Sequence, residues 1–235
     1  MKTILQSTST GSFLKDAIRD LIVVVVGILA ALWLEAWWQD LADRREEQQI
    51  LTGLSEEFRK NGEDLVARLE NWERMMGLAT SMHKLVGGPL NEETIARFRD
   101  AQARGLGAQG SVFFDPRHGQ LTSVINSGKL GLIRNAELRA LIADWPALVA
   151  DLEFETDGFQ EQIVHMRGNT ERKYGTFWPD SRYELQAEVM MNSQEYDNEL
   201  ASWSIMLSRM RQEGQVILEV TDSIIALINT ELAAP

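Results

Sequence analysis

Apolar and polar positions along the 235-residue chain fall into two regimes. Residues 21–34 are apolar without interruption, whereas most of the remainder places apolar side chains three or four apart. The second spacing is that of helices burying one face. It is most regular near the C-terminus, where Tyr196, Leu200, Trp203, Leu207, Met210, Gly214, Ile217, Thr221, Ile224 and Ile228 alternate steps of four and three. This predicts a helix of about 40 residues with a coiled-coil-like seam, starting from an Asn192 cap.

A comparable stripe runs through Leu51, Leu54, Phe58, Leu65, Leu69, Trp72, Met76, Ala79 and Met82, with a gap at Asn61-Gly62, and Gly87-Gly88-Pro89 should stop that helix. "NEETIARFRDAQARG" follows, with Asn91 as N-cap and Gly105 as terminator. Asp115-Pro116 is expected to open a short helix carrying Leu121, Val124 and Ile125, and Gly128 and Gly131 to break it. Asn135 then caps a helix with Leu138, Leu141, Ile142, Trp145, Val149, Leu152, Phe159 and Ile163 on one side, reaching about Met166 and kinked at Pro146. "YGTFWPD" reads as a loop. No strand pattern competes, so the expected fold is all-α: three long helices packed antiparallel, with two shorter ones against them.

The uninterrupted run needs a different explanation. Residues 18–38 number 21, about 31 Å of helix at 1.5 Å per residue, which matches a hydrocarbon layer of about 30 Å. Trp33, Trp37 and Trp38 gather at one end, as an interfacial aromatic belt does. The small residues that signal peptidase requires do not follow the run, so the segment is expected to be retained as a transmembrane helix. On a helical projection Asp16, Asp20, Val24, Gly27, Ala31 and Leu34 share a line, and the Gly27/Ala31 pair would let a second helix approach. "QDLADRREEQQ" is polar nearly all round and without a breaker, as a helical stalk continuous with the span would be. The expected organisation is a tail (1–17), a transmembrane helix (18–38) and an acidic helical bundle (39–235).

Charge adds direction. The first 38 residues balance to zero, so the whole net charge of −12 falls on the bundle. Such a body repels phosphate backbones, which argues against nucleic acid as a partner. Three basic residues, Lys2, Lys15 and Arg19, precede the uninterrupted apolar run, and Arg44 and Arg45 are the two in the first twenty after the span, a slight preference for a cytoplasmic N-terminus. The bundle would then lie in the periplasm of a Gram-negative host. With no cysteine, thiolate chemistry and Cys-based metal sites are excluded.

Candidate chemistry is sparse. Gly105-Leu106-Gly107-Ala108-Gln109-Gly110 matches a dinucleotide fingerprint by letter, but it follows a helix where the motif must follow a strand. Asp157, Glu161 and His165 share a helix face without the Glu-x-x-His pairs of a di-iron bundle, and a solvated acidic face accounts for them. His118 lies near an expected helix start, a surface position, and Trp72, Trp145 and Trp203 lie on core stripes. No catalytic residue, cofactor or metal site is expected.

Two stretches, "LIVVVVGILAALWLEAWWQDLADRREEQQILTGLSEEF" and "LTSVINSGKLGLIRNAELRALIADW", resemble a family of bacterial single-span membrane proteins known as a domain of unknown function. In the second, Ser127-Gly128, Leu130, Ile133 and Asn135 resemble the family's turn between helices. The resemblance covers most of the chain and implies a cytoplasmic N-terminus, although the tail here is less basic than in most members. It implies no activity. The function expected is a non-catalytic interaction or scaffold module in the bacterial inner membrane, whose partners are the bilayer and either another protein or a second copy. Alternatives are an accessory subunit of a larger membrane complex and a small-ligand sensor.

Overall fold

The computed structural model describes residues 10–107, 112–176 and 181–233. They form α1 (Thr10–His83), α2 (Glu92–Gly107), α3 (Gly119–Asn126), a 3-10 turn (Lys129–Leu132), α4 (Ala136–Tyr174), α5 (Ala187–Met191) and α6 (Gln194–Ala233). Among the described residues the one extended pairing is an isolated bridge between Thr176 and Glu184, so the protein is all-α. Packing divides the chain into two units, Met1–Gln49 and Ile50–Pro235. The second is a helical bundle with its own core, which begins at Ile50 and Leu51.

The α6 seam is buried as its spacing requires: its ten fully covered positions run from Tyr196 to Ile228, including Gly214 and Thr221. Along α1 the expected line is also inside, except that Met75 rather than Met76 is the fully covered methionine. The gap in the apolar pattern is no gap in packing, because Asn61 and Gly62 are both buried. A Cβ on Gly62 would lie 3.5 Å from the Thr221 methyl.

Cross-helix pairs set the directions. Trp145 Nε1 donates to Thr221 Oγ1 at 3.1 Å, Phe159 stacks on Trp203 at 6.2 Å, and Asn135 Nδ2 donates to Glu231 Oε1 at 2.8 Å. Numbers rise along α4 as they fall along α6, so these two helices are antiparallel. Tyr196 against Met82 and Gly214 against Trp72 make α6 antiparallel to α1 as well. Hence α1 and α4 run the same way, with Phe58 meeting Trp145 edge-on at 5.2 Å. The chain must return the length of the bundle between them.

Residues 112–121 make part of that return as a strap against α1. Trp72 Nε1 donates to the Val112 carbonyl at 3.1 Å. Asn61 holds Arg117 at two points, accepting from its amide at 2.8 Å and donating to its carbonyl at 2.7 Å. The Glu57 carboxylate accepts from the amides of Gln120 (2.8 Å) and Leu121 (2.9 Å). Val112, Phe114 and Pro116 are buried while Phe113 and Asp115 are exposed, the alternation of an extended chain.

Several element ends differ from expectation, each for a visible reason. α3 starts at Gly119 and not at Asp115-Pro116, because the free amides of its first turn are met by Glu57 from α1 and not by a local cap. Gly128, at φ +71°, ends α3, whereas Gly131 lies within the 3-10 turn. Ser193 rather than Asn192 caps α6, accepting from the Tyr196 amide at 3.2 Å, while Asn192 closes α5. α4 continues past Met166 to Tyr174, since Thr170 and Tyr174 prolong its buried line and the Tyr174 ring meets Tyr196. Gly175, at φ +105°, stops it; a Cβ there would fall 2.6 Å from two carbonyl oxygens. α2 reaches Gly107, beyond the expected stop at Gly105. The expected caps Asn91 and Asn135 accept from the amides of Thr94 (2.9 Å) and Leu138 (3.0 Å).

Candidate functional site

Within the first unit, none of the most apolar stretch of α1 is buried inside the protein. By length and composition this helix can cross a membrane. Val24 and Leu34, from the line proposed for helix pairing, are exposed, and so is Ala31. A Cβ on Gly27 would meet nothing within 4 Å, so that line is open to a neighbour. Asp20 sits 3.6 Å from Arg19 at the polar start of the run. At the other end Trp33 is 70% exposed, and Trp37 and Trp38 are edge-to-face at 6.0 Å. A shallow groove follows, lined by Leu32, Glu35, Ala36, Gln39, Asp40 and Asp43, where an apolar flank gives way to carboxylates.

Trp72, Trp145 and Trp203 are core residues. The indoles of Trp72 and Trp145 are hydrogen-bonded, whereas Trp203 Nε1 is buried without a partner. At one end Tyr196 packs against Phe98 and Tyr174, and burial pushes its hydroxyl up to about 12. It is thus a neutral core phenol, not an acid–base group for neutral pH. Asp157, Glu161 and His165 are exposed along α4. Among the described residues no group of three or more His, Asp or Glu could hold a metal ion. His83 Nδ1 pairs with Asp197 Oδ1 at 2.5 Å, joining the end of α1 to the start of α6, and His118 Nδ1 lies 3.1 Å from the Pro116 carbonyl. Of the glycine-rich stretch, Gly105, Leu106 and Gly107 end α2, and Ala108, Gln109 and Gly110 lie outside the described residues.

Two residues that organise the bundle, Glu57 and Asn61, were not singled out by sequence reasoning. A signal existed: both are polar, buried, and on or beside the apolar line of α1. Buried polar groups of this kind require partners.

Acidic side chains crowd together between α4 and α6. Burial, then the nearby Glu155 and Asp151, hold the Glu213 carboxyl above the usual carboxylate range, and its Oε2 has no hydrogen-bond partner. A raised native pKa means that charged Glu213 costs stability at neutral pH, and that the cost fades as pH falls through the native value towards the unfolded value of 4.5. Glu213→Gln should therefore raise the melting temperature at pH 7, by about 1 °C for a half-buried group still reached by solvent, and the gain should vanish near pH 4. A gain that persisted at pH 4 would assign the effect to packing.

No protein-family model, curated protein or solved structure matches the chain. What the geometry itself defines is a class: an all-α protein joining a membrane-length apolar helical segment to a separately cored acidic bundle.

Proposed function

We propose that the protein is a single-pass membrane protein of the bacterial inner membrane, anchored through residues 18–38, whose acidic bundle works on the periplasmic side as a non-catalytic interaction or scaffold module. The observation that carries this reading is the complete lack of burial in the most apolar window of α1. Moving one large aliphatic side chain out of water is worth about 1.5–3 kcal/mol. Eleven exposed aliphatic side chains between Ile18 and Leu34, with no core of their own to enter, demand an apolar solvent, and a bilayer of matching thickness supplies one. The Trp33, Trp37 and Trp38 belt supports the same depth. The resemblance to the single-span family and the balance of basic residues support the orientation.

The accessory-subunit reading draws on one specific observation, the open Gly27 surface on the line Asp20, Val24, Gly27, Ala31, Leu34. Close approach of a second helix there would serve docking into a larger membrane complex.

Fractionation of cells tests the anchor. The intact chain is expected in membranes washed at alkaline pH and released by detergent alone, whereas a chain lacking residues 18–38 should be soluble. A C-terminal reporter active only in the periplasm should give signal. Intact protein in the supernatant overturns the anchor, and a reporter active only in the cytoplasm overturns the orientation.

A further inference from the structure

The exposed surface of α4 between residues 140 and 166 is acidic without being neutralised. Ion pairs occur on other parts of the bundle, Arg59 with Glu56 and Glu63 on α1 and Arg104 with Asp100 on α2, and at the end of α4 itself, Arg167 with Glu171 and Lys173 with Glu195. Residues 140–166, in contrast, contain no Lys or Arg, yet they hold Asp144, Asp151, Glu153, Glu155, Asp157 and Glu161. Among the described residues none of these six makes an ion pair, and the nearby cation, Arg209 of α6, acts on Glu213.

In the middle of this acidic stretch stands Phe154, 79% exposed, which is more than any large hydrophobic side chain of the apolar span. The buried line of α4 passes through Leu152, Thr156, Phe159 and Ile163, which places Phe154 on the opposite side of the helix. Ala150, Asp151, Asp157 and Glu161 stand at i−4, i−3, i+3 and i+7 from it, all exposed. A single exposed apolar residue is ordinary on a protein surface. A phenylalanine that lies clear of the core, ringed by unneutralised carboxylates, is an apolar anchor point with an electrostatic collar.

We infer that this face of α4 docks a basic amphipathic helix of a partner protein, whose aliphatic side covers Phe154 and Ala150 while its Lys and Arg side chains meet Asp151, Asp157 and Glu161. Charge selects this occupant. Anionic lipid would be repelled, and a second copy of the same face would oppose carboxylate to carboxylate. A helix surface with neighbours at i±3 and i±4 receives the ridges of another helix, and the small Ala150 leaves room beside the ring. The inference rests on the interaction-module reading and names the partner chemistry for it.

The test uses the full chain in an uncharged detergent and a fluorescent peptide of roughly 14 residues, two heptads of Leu and Lys at helical spacing, with empty micelles as the blank. Binding above the blank is expected, weakening as salt is raised. Phe154→Ser should weaken it roughly tenfold without moving the melting temperature, since the ring makes little packing contact. The combined Asp151→Asn, Asp157→Asn and Glu161→Gln variant should abolish it. Glu92→Gln with Glu93→Gln on α2, two acids away from Phe154, should leave it unchanged. Equal binding by wild type and Phe154→Ser, or no binding above the blank, overturns the docking face. The anchor is judged separately by fractionation, so a protein that needs detergent but ignores the peptide loses the docking face alone.

Discussion

Gly214→Val is expected to destabilise the bundle by about 3 kcal/mol or more, the largest effect of any single substitution on α6. A Cβ at Gly214 would lie 2.8 Å from Trp72 Cζ3 and 3.0 Å from Leu69 Cδ2, and the Trp72 side chain, fully buried and tied to the Val112 carbonyl, has nowhere to move. Gly214→Ala meets the same wall with less bulk. Its better helix propensity, about 1 kcal/mol, offsets part of the clash and leaves a smaller loss. Trp72→Leu should couple to both: it costs stability by itself by opening a cavity, but in its background Gly214→Ala should lose most of its penalty. Chemical unfolding of the full chain in an uncharged detergent measures each variant. A Gly214→Val protein that unfolds at the wild-type midpoint would refute close helix approach at this point.

Asn61→Leu should be destabilising by about 2 kcal/mol although it makes the α1 stripe more apolar. Pattern alone favours leucine at this position. The Arg117 amide and carbonyl, however, both bond to the Asn61 side chain, and with leucine neither keeps its partner. Of the hydrogen bonds described between strap and α1, those of Trp72 and Glu57 would remain. Amide hydrogen exchange should accelerate at Arg117 and at Gln120 and Leu121, where release of the strap disturbs the Glu57 cap. Asn61→Asp keeps the acceptor and loses the donor, and its loss should be intermediate. A more stable Asn61→Leu protein would mean that the strap contributes nothing.

These two substitutions separate what periodicity could say from what it could not. Steps of three and four located every buried position of α6, because one helix face must leave water whatever it packs against. They also placed Trp72, Trp145 and Trp203 inside. Periodicity failed at Asn61-Gly62, where burial is achieved by hydrogen bonding and by close approach instead of by apolar bulk. It failed again at the start of α3, whose first-turn amides are capped by Glu57, a residue more than sixty positions away in the chain. Phe154 was legible as a break in the α4 pattern, yet its exposure became meaningful only once the flanking acids were known to lack partners.

The chain by itself determined the helical class, the buried line of α6, most of those of α1 and α4, and the membrane-length apolar run, since these follow from the order of apolar and polar side chains and the period of one helix. Tertiary structure alone decided that α1 and α4 run parallel, that residues 112–121 return as a strap, and that Gly214 admits Trp72. These depend on contacts between residues far apart in the chain, where a side chain's partner is chosen by the packing of whole helices and not by its neighbours in sequence.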